Sequence, residues 1–428
     1  MNTLYKWALL AAMSMATQLP TQAQRVYTLD DCRTMALENN IKIRNAQNDA
    51  EAAQHTQKEA FTNYFPNISA TGVGYNANKG LVEMEVAPGM SLSLLKNGIM
   101  GGVTATQPIF AGGQIVNGNR LAAVGVEASQ VQKERAENEV RTTVEQNFWQ
   151  VVTLQKKLNT LRTVESQLEN IQKDVEASVK AEVSTRNDLL QVQLKQNDMT
   201  STRINIENNL TVCRMMLAQY IGADEDSVIV ESAIRMDTIP DFPHDIYCDH
   251  QSALAQTPEY KLLDINVRAS HLEEKTAVGK NLPTVAVGGG VMYDNLVDKS
   301  HTFAVGFVTA SVPLSGWWGG SHSIEKERLQ MKNAENQLAD NSKLLIIAMQ
   351  KGWADLQNAY KQMAIAKKSI DQASENLRLN NDYYHAGTTT MSDLLDAETY
   401  LQQSRDKYVE AYAQFQIKIV EYLQATGR

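Results

Sequence analysis

Long hydrophobic runs are scarce in this sequence. After the N-terminal region, the most apolar run is the six residues from Leu344 to Met349, whereas a membrane-spanning helix needs about 20 apolar residues. Such a chain can lie in a bilayer only through strands that close into a barrel, because hydrocarbon offers no partner to unpaired backbone groups. A helical anchor after the N-terminal region is therefore not predicted.

Cysteine and excess positive charge are also lacking. The 428 residues include only three cysteines, which is not the pattern of a disulfide scaffold, although a bridge between Cys32 and Cys248 is one alternative. The formal net charge of -9 leaves no basic stripe for a phosphate backbone. Nucleic acid is therefore not expected as a partner.

Enzyme motifs are missing as well. The seven histidines show no HExxH spacing, and the sequence has neither a GxSxG motif nor a phosphate-binding loop. His244 and His250 could bind a metal ion, but two histidines in a proline-rich connector are more often polar loop residues. We therefore predict no enzymatic activity, no cofactor and no metal site.

The first two dozen residues have the three parts of a secretory signal. Lys6 precedes an apolar run from Trp7 to Met15, and small residues close the region around Ala23. We predict a signal peptide over residues 1–23, because the apolar run is too short for a retained anchor. The residues before Cys32 lack the small apolar pattern of a lipid-attachment site.

The second half of the sequence repeats the first. The shift between matching residues is 217 near the start of each copy and 205 later. The matched pairs include Ala36 with Ala253, Pro66 with Pro283, Pro108 with Pro313, Asp188 with Asp393, and Gly222 with Gly427. Because an internal duplication fixes the architecture, we predict two structural repeats, residues 24–222 and 259–428, joined by a connector over residues 223–258.

Each repeat contains a glycine-rich interval that predicts a β-hairpin. The intervals span about residues 66–108 and 283–313. In the second, Val285, Val287, Val291 and Tyr293 alternate on one face, and Phe303, Val305 and Phe307 alternate on another. Each interval has room for two strands of about ten residues, the length a tilted strand needs to cross hydrocarbon. We expect the loop near Lys79 to Asn97 to absorb the extra residues of the first hairpin.

The remaining segments are nearly free of helix-breaking residues. No proline lies between residues 109 and 239 or after 313, and no glycine lies between 126 and 221, which favours long helices. Apolar residues recur along them at heptad-like spacing. From Leu189 one core position holds Leu189, Gln196, Arg203, Leu210 and Leu217, and the other holds Val192, Met199, Ile206, Cys213 and Tyr220. At the shift of 205 the second copy places Leu394, Leu401, Tyr408, Phe415 and Tyr422 at the first position, and an earlier seam runs through Val151, Leu154, Leu158, Leu161, Val164, Leu168, Ile171 and Val175. We interpret these seams as helix–helix core.

Five short motifs flank the predicted strands and the second helix reversal: Phe65-Pro66-Asn67, Gln107-Pro108-Ile109-Phe110, Leu282-Pro283-Thr284, Val312-Pro313-Leu314 and the segment from Gly387 to Ala397. In their order and spacing they resemble the TolC-like outer-membrane efflux protein family over essentially the whole mature chain. The resemblance implies a mainly α fold with a membrane β-barrel portion. Three chains with four strands each would build one 12-stranded barrel, continuous with an α-helical barrel in the periplasm.

The same resemblance implies function and partners. A homotrimer in the outer membrane of a Gram-negative-type cell, in contact with its lipid, would export drugs, toxic compounds or metals, supplied by a periplasmic adaptor and a proton-driven or ATP-driven inner-membrane pump. One alternative is the exit duct of a type I protein secretion system. An alternative of another class is a periplasmic coiled-coil adaptor or structural protein without a pore, which would not need the repeated strands.

The family resemblance also implies a channel constriction near the second helix reversal. Asp393 and Asp396 match aspartates that line it, and Tyr384 matches a tyrosine that helps hold the closed entrance. The alternative is that Asp393 caps its helix with Thr390, which is compatible with a role in the constriction. Thr389 stands where a basic residue is usual, which puts the usual closed-state salt bridge in doubt.

The first repeat offers a weaker constriction candidate. Asp188 matches Asp393, but Gln191 stands in place of the second acid. Glu182 replaces the turn glycine, so we expect this turn to differ in shape from the second one.

Overall fold

The computed structural model describes residues 26–79, 82–94, 96–223, 228–231, 234–295, 300–314 and 316–428. The predicted signal peptide lies outside these residues. The described residues form two compact units: the first comprises those within 26–44, 136–253 and 347–428, and the second comprises those within 45–135 and 254–346.

The α-helices of the described residues are dominated by two long pairs. Their bounds are Leu29–Asn39 (α1), Ile41–Thr62 (α2), Gln114–Lys180 (α3), Arg186–Ile221 (α4), His250–Ala253 (α5), Pro258–Lys280 (α6), Gly316–His385 (α7) and Met391–Ala425 (α8). The mainly helical class predicted from the sequence is confirmed. No helix in the described part of the chain has both the length and the apolar content needed to cross a membrane.

The described strands fall into three sheets. Their bounds are Val26–Tyr27 (β1), Asn67–Asn76 (β2), Val82–Ala87 (β3), Met90–Leu94 (β4), Asn97–Ala111 (β5), Ile229–Val230 (β6), Thr284–Asn295 (β7) and His301–Ser311 (β8). β1 and β6 form a short parallel pair, β3 and β4 pair with each other, and the other four strands form one sheet.

The four-stranded sheet lies in the second unit and has the order β2-β5-β7-β8, with every neighbour antiparallel. The two predicted hairpins are therefore present, and β5 joins β7 across the repeats. Pro108 lies in the inner strand β5, where it has no N–H for the ladder. The register with β7 shifts between Pro108 and Phe110, and this bulge accommodates the proline.

The β3–β4 pair was not predicted. It falls within the loop expected to absorb the extra residues of the first hairpin, and Pro88 and Gly89 form its turn. The alternation of Val82, Met84 and Val86 with glutamates was a signal that could have identified it.

The predicted helical seams are confirmed as core in the first unit. One buried cluster includes Phe148, Val151, Leu217, Tyr408 and Phe415. A second cluster joins residues of α3, α4 and α8, namely Leu161, Val164, Leu168, Val175, Val192, Met199, Met391, Leu394 and Leu395. Arg203 is a polar residue on the α4 seam, and its guanidinium is satisfied by Glu165 and Glu207, each at 3.0 Å.

The described part of the connector is held against the long helices of the first unit by aromatic side chains. Phe242 packs edge-on against Trp353 and Tyr360. The Tyr408 hydroxyl donates to the carbonyl oxygens of Arg235 and Thr238 at 3.2 and 3.3 Å. The irregular connector therefore gains its order from α7 and α8 rather than from regular structure of its own.

The alternative of a Cys32–Cys248 bridge is not realised, because both thiols are free. Cys32 is buried, and that burial raises the pKa of its thiol to about 12. Cys248 instead receives a hydrogen bond from Arg428, whose Nη2 lies 3.5 Å from the sulfur.

Candidate functional site

The α7–α8 reversal carries Asp393, and the structure gives this residue a capping role. Thr390 is the N-cap of α8, and its hydroxyl accepts from the Asp393 N–H at 3.2 Å. In return the Asp393 carboxylate accepts from the Thr390 N–H at 3.1 Å and from the hydroxyls of Thr390 and Thr389 at 2.5 and 3.0 Å. This reciprocal capping box satisfies N–H groups at the helix start that have no partner within the helix.

The α3–α4 reversal repeats the same arrangement. The Thr185 hydroxyl accepts from the Asp188 N–H at 3.2 Å, and the Asp188 carboxylate accepts from the Thr185 N–H at 3.0 Å. The Ser184 hydroxyl donates to Asp188 at 2.9 Å, as Thr389 does to Asp393. Both duplicated turns therefore have the same capping chemistry.

The expectation that the two turns differ in shape is wrong. Glu182 has φ 59°, and Gly387, its counterpart, has φ 71°. The hydrogen bonds also correspond: Glu182 N–H donates to Val179 O at 3.1 Å, and Gly387 N–H donates to Tyr384 O at 2.9 Å. Glu182 thus adopts the left-handed conformation that glycine adopts without strain, because the Thr185–Asp188 capping box that follows it matches the Thr390–Asp393 box after Gly387.

We expect Glu182→Gly to raise the free energy of unfolding by about 0.5–1 kcal/mol, because it removes left-handed strain worth about 1–2 kcal/mol while adding flexibility to the unfolded chain. The matched control is Gly387→Glu, which should lower stability by a similar amount. A Cβ at Gly387 would meet nothing within 4 Å, so only backbone strain is at issue there. Chemical denaturation would measure the stability of both variants. If both are as stable as the parent protein, the left-handed backbone at these two positions carries no strain.

Asp393 and Asp396 are both exposed and lie three residues apart in α8, hence on one side of the helix. Hydrogen bonds from the Thr390 side chain and backbone, and from Thr389, hold the pKa of the Asp393 carboxyl below its usual range. Asp393 is therefore a fixed negative charge at neutral pH. Two carboxylates on one side of a helix can attract a cation or repel an anion.

The other two predicted site residues, Asp188 and Tyr384, also lie at the helix reversals. Burial acts to raise the pKa of Asp188, but hydrogen bonds from Thr185 and Ser184 outweigh it and leave the pKa lowered. Tyr384 is half-buried and packs on the cluster that contains Leu394 and Leu395. Its packing joins the end of α7 to the start of α8.

Sequence reasoning missed two acidic residues further along α8. Glu398 is 3% exposed and its Oε1 has no hydrogen-bond partner among the described residues. Burial raises the pKa of Glu398, and burial raises the pKa of Asp406 to about 6. Glu398 lies between the core positions Leu394 and Leu401, and that spacing was a signal for its burial.

The two connector histidines do not converge on a metal site. His250 Nε2 lies 3.2 Å from the Tyr422 hydroxyl, and His244 packs against Phe242. Among the described residues, no group of three or more histidine, cysteine or acidic side chains is placed to bind a metal ion.

Solved structures of outer membrane proteins have the same fold. The outer membrane protein VceC from Vibrio cholerae matches with a TM-score of 0.76 at 13% identity, covering 93% of this chain and 96% of VceC. The CmeC outer membrane channel of Campylobacter jejuni matches with a TM-score of 0.78 at 15% identity, covering 93% and 85%. The open-state MtrE outer membrane channel of Neisseria gonorrhoeae matches with a TM-score of 0.75 at 16% identity, covering 93% and 88%. The fold is that of a TolC-like outer membrane factor.

The family itself follows from the sequence. The family model of the outer membrane efflux protein matches residues 33–223 and 250–428. The chain belongs to this outer membrane efflux protein family, as the resemblance in its motifs indicated. No curated protein has a sequence match to the chain.

Proposed function

We propose that three copies of this chain form an outer-membrane channel that exports small molecules, including drugs, toxic compounds or metals, received from a periplasmic adaptor and an inner-membrane pump. The proposal keeps residues 1–23 as a cleaved signal and residues 24–222 and 259–428 as the two repeats. Family membership supports the general role, and the four-stranded sheet supports the membrane placement.

The main support is an exposed apolar face on the four-stranded sheet. Residues paired across neighbouring strands share a face, and the register places Val103 beside Val291 and Val287 beside Val308. This face also has few polar residues. Its exposed large apolar side chains are Ile68, Ile99, Val103, Val287, Val291, Tyr293 and Val308. Water would not favour such a face, whereas hydrocarbon would.

The opposite face is mixed in character. Ser69 and Thr104 lie within hydrogen-bond distance of each other at 3.2 Å, and His301 lies 3.8 Å from Asp294. Phe303, Val305 and Phe307 also lie on this face, opposite the Val285–Tyr293 set, as the sequence alternation predicted. A wall with one apolar and one partly polar face fits a sheet between lipid and an aqueous lumen.

The sheet edges support assembly of more than one copy. Within the described residues, β2 and β8 each pair on one side only. An open edge exposes unpaired N–H and C=O groups, each costing several kcal/mol in hydrocarbon. Pairing β2 of one copy with β8 of the next would close a barrel, and three copies would supply twelve strands.

The experiment that tests the function is a planar-bilayer recording on detergent-extracted protein, with the oligomeric mass measured on the same sample. We expect discrete conductance steps from a trimer. A monomer that stays in solution without detergent would overturn the proposal. Recovery of the partners by affinity capture would then separate a small-molecule pump from a protein-secretion transporter.

We further propose that Asp393 and Asp396 line the channel constriction, where three copies bring six carboxylates towards one axis. Replacing them as Asp393→Asn with Asp396→Asn keeps an oxygen acceptor for Thr390 but removes the charge. We expect higher single-channel conductance and weaker block by multivalent cations, because the double variant no longer has the ring of carboxylates that binds such cations.

The matched control for this test is Asp49→Asn with Asp340→Asn, two exposed aspartates on α2 and α7. It removes the same number of charges outside the α7–α8 turn. If multivalent cations block the two double variants equally, Asp393 and Asp396 do not line the constriction.

A further inference from the structure

An exposed aromatic cluster marks the passage from α2 to β2 in the second unit. Phe61, Tyr64 and Phe65 are 54%, 40% and 56% exposed. The Phe61 ring lies 5.5 Å from Tyr64 and 5.7 Å from Phe65 between ring centroids, both in edge-on geometry. Three aromatic rings that cluster at a protein surface form a patch that water disfavours.

The cluster is held in place by backbone contacts. Pro66 disfavours a helical conformation at the preceding residue, and Phe65 N–H closes a turn on Thr62 O at 2.9 Å. The side-chain amide of Gln107 donates to Tyr64 O at 3.2 Å, and that of Asn119 donates to Ala60 O at 2.9 Å. The rings therefore stand on a segment tied to both β5 and α3.

A cavity of about 480 Å³ opens beside these rings. Phe61, Tyr64 and Val116 form apolar parts of its wall, and Lys58 and Arg120 also line it. Both cations are exposed, and neither forms an ion pair with a carboxylate of the described residues. An apolar wall that carries two unpaired cations suits a ligand with an anionic head and a hydrocarbon tail.

The segment that carries the aromatic rings continues into the surface that we assign to lipid. Ile68 lies two residues after Pro66, in β2. It belongs to the apolar face of the sheet and is 70% exposed. Ile109 and Phe110 at the end of β5 are 64% and 48% exposed. Aromatic side chains collect where membrane strands leave hydrocarbon. Basic pockets of membrane proteins near the headgroups attract anionic lipids.

We propose that the cavity formed by Lys58, Phe61, Tyr64, Val116 and Arg120 binds an anionic phospholipid, with the headgroup phosphate at Lys58 and Arg120 and the acyl chains against the aromatic rings. The proposal rests on the proposed function, since it requires the sheet to lie in a membrane. It commits to a lipid rather than free phosphate because the aromatic wall gives inorganic phosphate no partner.

Native mass spectrometry of the detergent-extracted protein with phosphatidylglycerol or phosphatidylethanolamine tests the headgroup contact. We expect tighter binding of phosphatidylglycerol. Lys58→Gln and Arg120→Gln should each weaken it about 5-fold, and the double variant about 25-fold, from the usual attraction of one surface cation to anionic lipid. The control Arg44→Gln with Lys173→Gln removes two exposed cations from the same two helices, and equal weakening by the control would overturn the proposal.

Two further experiments distinguish a bound lipid from other occupants of the cavity. Excess inorganic phosphate should leave the bound lipid in place, and displacement of the lipid by phosphate would identify a free-anion site and overturn the proposal. A photoreactive amino acid at Tyr64 should crosslink to lipid, whereas crosslinking to a second copy of the chain would make the surface a subunit contact and also overturn it.

The same samples distinguish this proposal from the proposed function. Planar-bilayer conductance with no preference for phosphatidylglycerol would reject the lipid site and leave the channel intact. Loss of conductance together with loss of lipid binding in the unmodified protein would reject both.

Discussion

Gly112→Ala is expected to lower the free energy of unfolding by about 2–5 kcal/mol, the largest single effect that the backbone geometry predicts. Gly112 links β5 to α3 with φ +61°, a conformation that costs an alanine about 1–2 kcal/mol. A Cβ there would also lie 2.2 Å from the carbonyl oxygen of Gly279 in α6. Backbone atoms cannot rotate away as a flexible side chain can, so the two segments would have to separate.

The reciprocal variant tests the contact without the strained backbone. A Cβ at Gly279 would lie 2.4 Å from Gly112 O, and Gly279 has no left-handed φ. Gly279→Ala should therefore cost about 1–3 kcal/mol, the usual penalty of overpacking, and less than Gly112→Ala.

Gly118→Ala, in the first turns of helix α3 just after Gly112, is the matched control. A Cβ at Gly118 would meet nothing within 4 Å, and alanine is the better helix former by about 1 kcal/mol. This variant should unfold at a slightly higher temperature than the parent protein. Thermal unfolding followed by circular dichroism would rank the three variants, and a Gly112→Ala protein as stable as Gly118→Ala would contradict the close approach.

Arg33→Ala is expected to cost about 2–4 kcal/mol, because it leaves the buried carboxylate of Glu145 without its main partner. The Glu145 side chain is 3% exposed, and it accepts from Arg33 Nε at 2.7 Å as well as from Arg33 Nη2. Arg33 remains 34% exposed, so solvent screens part of the interaction and the expected loss falls below that of a fully buried pair.

The pH dependence of this loss has a definite sign. Burial already raises the pKa of Glu145, although Arg33 opposes the rise by its charge and hydrogen bond. Removing Arg33 raises the pKa further, so the folded variant holds the proton to higher pH than the unfolded chain does. The destabilisation should be largest near pH 8 and should shrink as pH falls and Glu145 becomes neutral.

Asp30→Ala provides the control, because it removes the other partner of Arg33, which lies 2.7 Å away with an 87% exposed side chain. Such an exposed pair is worth less than about 1 kcal/mol. Denaturant unfolding at pH 5 and pH 8 would compare the two variants. A loss for Arg33→Ala that is the same at both pH values would show that Glu145 is not the source of the effect.

The long helices and their core faces could be predicted from the sequence, because the signals are local. A helix excludes proline and interior glycine, and a buried seam repeats apolar residues every three or four positions. The predicted seam positions Val192, Met199, Leu217, Tyr408 and Tyr422 are all at most 4% exposed. The strand intervals were found in the same way, from glycine and period-two alternation.

The capping of the two helix reversals could be predicted only in part from the sequence. Thr390 with Asp393 fits a threonine N-cap and an acid three residues on, and the structure has that box. The substitution of Glu182 for glycine suggested a different turn, because local preference disfavours a left-handed glutamate. The Thr185–Asp188 box and the packing of the two helices outweigh that preference.

What the sequence by itself determined is the set of elements: the long helices with their apolar seams, and the strand pairs with their two faces. These follow from backbone sterics and from the spacing of apolar residues, which act within a few positions along the chain. Only the tertiary structure decided which distant groups meet, as in the Gly112–Gly279 contact, the Arg33–Glu145 pair and the β5–β7 pairing. Such contacts depend on how whole elements pack, and no local spacing encodes them.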